Sequence, residues 1–99
     1  MKVSLIKEAQ FELDDTIVFY NNQLNGLGQD FFNEFLCAVE RICNYPDAWH
    51  PLTKNTKRCQ TRRFPYGIIY TVEADEILIL SISHLHREPN HWKDRLDTN

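Results

Sequence analysis

The spacing of apolar residues changes period twice along this chain. Val3 to Ile6 is a short apolar and β-branched run that reads as a first strand. From Lys7 the pattern becomes helical: Ile6, Ala9, Leu13, Ile17, Tyr20 and Leu24 recur at steps of three and four, as one face of a helix requires. Asn25-Gly26 stops that helix, because glycine takes a left-handed cap cheaply. A second helical face follows in Phe32, Phe35, Leu36, Val39, Ile42 and Cys43, and Asn44-Tyr45-Pro46 ends it. Phe31, Phe32 and Phe35 are expected in the core. The connection is so short that the two helices should pack as an antiparallel hairpin.

After Pro46 the period shortens to that of strands. Asp47 to Asn55 reads as a loop carrying Trp49, His50 and Pro51. Arg58 to Phe64 alternates loosely and ends at the turn Pro65-Tyr66-Gly67. Ile68 to Glu73 is β-branched and aromatic, Ala74-Asp75-Glu76 is a tight turn, and Ile77 to Ser83 is a nearly continuous apolar run of strand length. Such continuity predicts a central strand covered on both faces. The order is β-α-α-β-β-β. It predicts a single α+β domain over residues 1–99, with an antiparallel helical hairpin packed on one face of a small, mostly antiparallel sheet.

Composition narrows the class without fixing the function. The 42% hydrophobic and 25% charged fractions are ordinary globular usage. The net charge of −3 gives no support to a dedicated nucleic-acid binder. Charge is nevertheless polarised along the chain. Glu8, Glu12, Asp14 and Asp15 crowd the N-terminal end, whereas Lys54, Lys57, Arg58, Arg62 and Arg63 form an acid-free basic stretch. The cysteines, Cys37, Cys43 and Cys59, are odd in number and form no C-x-x-C, which points to a reducing, cytoplasmic setting. MKVSLIKEAQFELDD does not read as a signal peptide, and no apolar run is long enough to span a bilayer.

The most unusual stretch is SHLHREPNHW, Ser83 to Trp92. With the residues before it, it carries a family resemblance. RRFPYGIIYTVEADEILILSISHLHREPNHW resembles the C-terminal half of the RelE/ParE superfamily, the toxins of type II toxin–antitoxin modules. There a basic strand leads to a Y-x-I-x-Y strand, an acidic turn and an apolar strand that closes on H-x-x-R-x-P-x-x-W. His84, Arg87, Pro89 and Trp92 match that ending. The resemblance implies the β-α-α-β-β-β fold, a cognate antitoxin as partner, and no cofactor. It also implies one of three activities: a ParE-like toxin that poisons DNA gyrase, a RelE-like nuclease that cuts mRNA on the ribosome, or an inactive homologue that only binds antitoxin. Many members with this ending are called plasmid stabilisation proteins. The ParE-like branch fits better, since the chain is acidic and the C-terminal tyrosine common in the nuclease branch is missing.

Candidate chemistry follows from residue types. RNA cleavage by 2′-hydroxyl attack needs a base, an acid and cations around the phosphate. His84, Arg87 and His91 are the candidate catalytic group, and Lys54, Lys57, Arg58, Arg62 and Arg63 the candidate binding group. His84 and His86 share a face if the last strand runs that far, with Arg87 opposite. Arg58, Arg62 and Phe64 share a face of the earlier strand, with Arg63 opposite, and Arg62 or Arg63 joins His84 and Arg87 only if those strands are neighbours. The structural alternatives stay open: an edge guarded by charge, an ion pair at the strand end, and Trp92 folded back as an anchor. The histidines also offer three imidazoles to a metal, but neither carboxylate nor thiolate is well placed beside them.

Overall fold

A computed structural model describes residues 1–88 and 90–95 of the chain. The elements are strand β1 (Lys2–Leu5), helices α1 (Lys7–Gln23) and α2 (Leu27–Asn44), and strands β2 (His50–Pro51), β3 (Thr56–Gln60), β4 (Tyr66–Glu73) and β5 (Glu76–His84). A short 3-10 turn, Lys93–Arg95, follows. The sheet order is β1-β5-β4-β3-β2, with β1 parallel to β5 and the other pairs antiparallel. This is the expected α+β architecture, with both helices on one face. Among the described residues no helix is long and apolar enough to cross a membrane.

The helical face buries Ala9 and Leu13 of α1 and Phe31, Phe35, Ala38 and Ile42 of α2 against Ile68, Tyr70, Ile77, Ile79 and Ile82 of the sheet. At its upper end Tyr20, Phe31, Phe64 and Tyr66 form an aromatic cluster with ring centroids 4.7–6.0 Å apart. Two residues assigned to the buried faces do not belong there. Leu24 and Leu36 are exposed, because each sits at the margin of its apolar stripe rather than toward the sheet.

Three other local expectations change. The Asp47–Asn55 loop contains a two-residue strand, His50–Pro51, paired with Arg58 and Lys57. The third strand starts and stops earlier than Arg58–Phe64. Residues 61–65 instead form a turn, in which the Thr61 amide donates to Tyr66 O and its hydroxyl to Phe64 O. The Glu34 carboxylate accepts the amides of Arg62 and Arg63, so no ladder partner is needed there. Finally, α1 ends at Leu24 in extended backbone, and the left-handed Gly26 (φ +90°) starts α2 instead of capping α1.

The register of β4 on β5 shifts between Ile69 and Tyr70, which oppose Ser81 and Ile79 and leave Leu80 as an extra residue. Leu80 then points away from the helices. With Ile69 and Trp92 it makes a second, smaller core on the opposite face. Trp92, only 3% exposed, folds back over this face and anchors the chain that follows β5.

Candidate functional site

The end of β5 poses a hydrogen-bonding problem. β1 is short and pairs only with Glu76–Ile79, and the Ile6 amide adds one more bond to Ile79 O. Beyond that point the β5 edge has no strand beside it. Side chains fill the gap. Glu12 of α1 accepts the Ile82 amide (3.1 Å), and Arg95 donates to Leu80 O (2.7 Å).

Glu12 is the hub of the region. Arg95 binds it in a fork, Nη1 to Oε1 at 2.8 Å and Nη2 to Oε2 at 3.0 Å. Arg87 Nη1 meets Oε2 at 2.6 Å, and the Ser81 hydroxyl donates to Oε1 at 3.1 Å. The Glu12 and Arg95 side chains are largely buried, while Arg87 is about half exposed. Burial pushes the Glu12 carboxyl up. The bonds from Arg95, the Ile82 amide and Ser81, with the Arg95 charge, outweigh it and hold the carboxyl below its ordinary value.

The histidines fall into two groups. The His84 ring packs edge-on against Tyr66 (5.4 Å), and its Nδ1 accepts the His86 amide. The His84 and His86 rings lie 5.2 Å apart although the strand stops at His84, because the turn at 85–86 carries His86 back. His91 faces the other way. Its Nδ1 lies 2.6 Å from Glu88 O, and a carbonyl only accepts, so Nδ1 carries the proton. Nε2 lies 3.1 Å from the Ser81 hydroxyl and 3.2 Å from that of Ser83; the Ser81 proton is directed to Glu12, which leaves Ser83 as the hydroxyl able to donate to Nε2. The three imidazoles therefore do not converge, and the described residues contain no group of three or more metal-ligating side chains. Trp92 anchors this segment from below. Pro89 lies outside the described residues.

The basic stretch is dispersed. Lys54 and Lys57 border a polar cleft beside Asp47 and Glu73. Arg63 leans on Phe64 and pairs with Asp30 at 3.5 Å, both side chains well exposed. Arg62 shares a shallow groove with Arg41, Trp49 and His50. Trp49 is half-buried and donates to Arg41 O. Arg62 and Arg63 sit on the turn after β3 and face Arg41 and Asp30, so neither joins His84 and Arg87. Arg58 does: it lines a small cleft with His84, Arg87 and His91.

Sequence reading missed two members of this region, Glu12 and Arg95. Glu12 had left a signal. It lies between Ala9 and Leu13 and one turn before Thr16, on the buried face of α1, where a carboxylate needs partners. Arg95 gave none, since nothing local distinguishes it from a solvated arginine.

A helical hairpin packed on one face of a five-stranded, mostly antiparallel sheet is the fold that the resemblance to small toxins implied. Residues 3–89 match the family model described as the ParE toxin of the type II toxin–antitoxin system parDE. The chain belongs to that family. Among solved structures it resembles a chain of the chromosomal ParDE TA system from P. aeruginosa, with a TM-score of 0.62 and 17% identity over 85% of this chain and 95% of that one. At that identity the likeness is one of fold. No curated protein matches significantly.

Proposed function

We propose that this ParE-family chain is held inactive by a cognate antitoxin and, when released, arrests growth by binding a protein target, DNA gyrase being the first to test. The observation that carries this reading is the commitment of two of the three candidate catalytic side chains, Arg87 and His91, to the fold. Arg87 is ion-paired with Glu12, a carboxylate it shares with Arg95, and both ring nitrogens of His91 are hydrogen-bonded within the chain. A general acid or base needs a free nitrogen near the scissile group, and a phosphate clamp needs unpaired cations. In this reading His84, Arg87 and His91 order a docking surface, and Lys54, Lys57, Arg58, Arg62 and Arg63 supply contacts to partners.

The test sets purified protein against gyrase in a supercoiling assay, beside a translation extract programmed with a defined message. Inhibited supercoiling with intact message is the expected result. Normal supercoiling at excess toxin removes gyrase as the target. Message cut in the ribosomal A site, and spared by His91→Gln and Arg87→Gln proteins, would replace binding with the nuclease reading.

A further inference from the structure

The Arg58 side chain takes an unusual path. It leans off β3 across β4, and only a glycine beneath it makes that possible. A Cβ at Gly67 would lie 2.6 Å from Arg58 Cδ and 2.8 Å from Cγ. Arg58 Nε is buried, yet it has no hydrogen-bond partner. A buried donor without a partner is uncommon and destabilising, so one in an otherwise satisfied region calls for an explanation. The cleft that Arg58 enters has a volume of about 60 Å³ and is also lined by Ser83, His84, Arg87, Glu88 and His91.

Charge and size restrict what the cleft accepts. Arg87 shares the single negative charge of Glu12 with Arg95, so that trio carries one positive charge, and both ring nitrogens of His91 are engaged within the chain. Arg58 has no ion pair among the described residues, while Glu88 adds a negative charge to the rim. The surplus is at most one positive charge, in a chain of net charge −3. That balance suits a single monoanion and disfavours a phosphate chain, whose recognition relies on several uncompensated cations. The cleft is large enough for one carboxylate group.

We propose that Arg58, threaded over Gly67, forms a receptor for one aspartate or glutamate side chain of the toxin's protein target. Nε and the adjacent guanidinium nitrogen present a planar fork that a carboxylate fills with two parallel hydrogen bonds. In the free protein Nε is covered and has no partner, so a carboxylate reaches it only as the rim of the cleft gives way. This deepens the protein-binding reading above and rests on it.

The test follows arginine Nε–Hε resonances of the full ¹⁵N-labelled chain. Sodium acetate, N-acetylaspartate, inorganic phosphate and a uridine dinucleotide are added in turn at constant ionic strength. The Arg58 signal is expected to shift saturably with acetate and N-acetylaspartate. Arg58→Lys removes that signal, and a Gly67→Ala chain that remains folded shifts at least fivefold less. Saturation by phosphate and dinucleotide but not by acetate overturns the assignment, as does saturation by no probe. In cells, Arg58→Lys at equal toxin level is expected to weaken growth arrest at least tenfold, and unchanged arrest overturns the proposal. Because the titration involves no gyrase, a failure of the gyrase assay with a saturable acetate shift removes the target and leaves the receptor.

Discussion

The two faces of the sheet are covered by different means. One is covered by two long helices whose buried side chains, Ala9, Leu13, Phe31, Phe35, Ala38 and Ile42, repeat with helical spacing. The other is covered by the short segment that follows β5, anchored by one tryptophan and fastened by one carboxylate. The helical face draws its stability from area and packing, which are cooperative across the whole domain. The clasped face draws it from a few specific bonds, so it can open alone.

The largest effect should separate the two faces by cooperativity. Phe31→Ala empties the centre of the helical core and is expected to cost about 4 kcal/mol of global stability, read from denaturant unfolding. Trp92→Ala removes a side chain of similar burial, with an expected loss of about 3 kcal/mol. That loss should appear mainly as faster amide exchange from 80 to 95, with β3 and α2 still protected. Equal exchange throughout the Trp92→Ala protein would show that the clasp and the core unfold as one unit.

Glu12→Gln comes next, at about 2–3 kcal/mol, because it leaves Arg95 buried without its counter-charge. Its pH dependence has a definite sign. The folded carboxyl lies below its ordinary value, so its contribution is complete above about pH 5, beyond the unfolded carboxylate range. It is lost as pH falls through the lower folded value. Wild type and Glu12→Gln should therefore converge in stability as the solution is acidified below the ordinary carboxylate range. A gap that does not narrow on acidification would mean that the ionic bonds are not what fastens the clasp. The smallest effect is expected at the turn. Arg63→Ala breaks an exposed ion pair with Asp30 and should change stability by no more than about 0.5 kcal/mol. A larger loss would assign that turn to the core instead of the surface.

The same division explains what could be read in advance. The helical face was legible because periodicity is a local property. Phe31, Phe35 and Ile42 announce themselves within a few turns, and ILILSI marks a strand covered on both sides. Errors fell where a residue stands at the margin of a stripe, as Leu24 and Leu36 do. They also fell where a side chain replaced a ladder partner, as Glu34 does for Arg62 and Arg63. The clasp was only half legible. Trp92 could be recognised as an anchor, but its carboxylate lay 83 residues from one partner, Arg95, and 75 from the other, Arg87.

By itself the sequence determined the order of elements, the helical hairpin and the family, because apolar period, turn residues and the spacing of His84, Arg87 and Trp92 are all properties of nearby positions. Tertiary structure decided the chemistry of the strand end. Only the fold leaves the edge of β5 short of a strand, brings Glu12 to fill it, turns His91 onto two serines and lays Arg58 across Gly67. Hydrogen-bond satisfaction and charge pairing act over ångströms in space regardless of separation along the chain, so these residues acquire their roles only once the sheet is assembled.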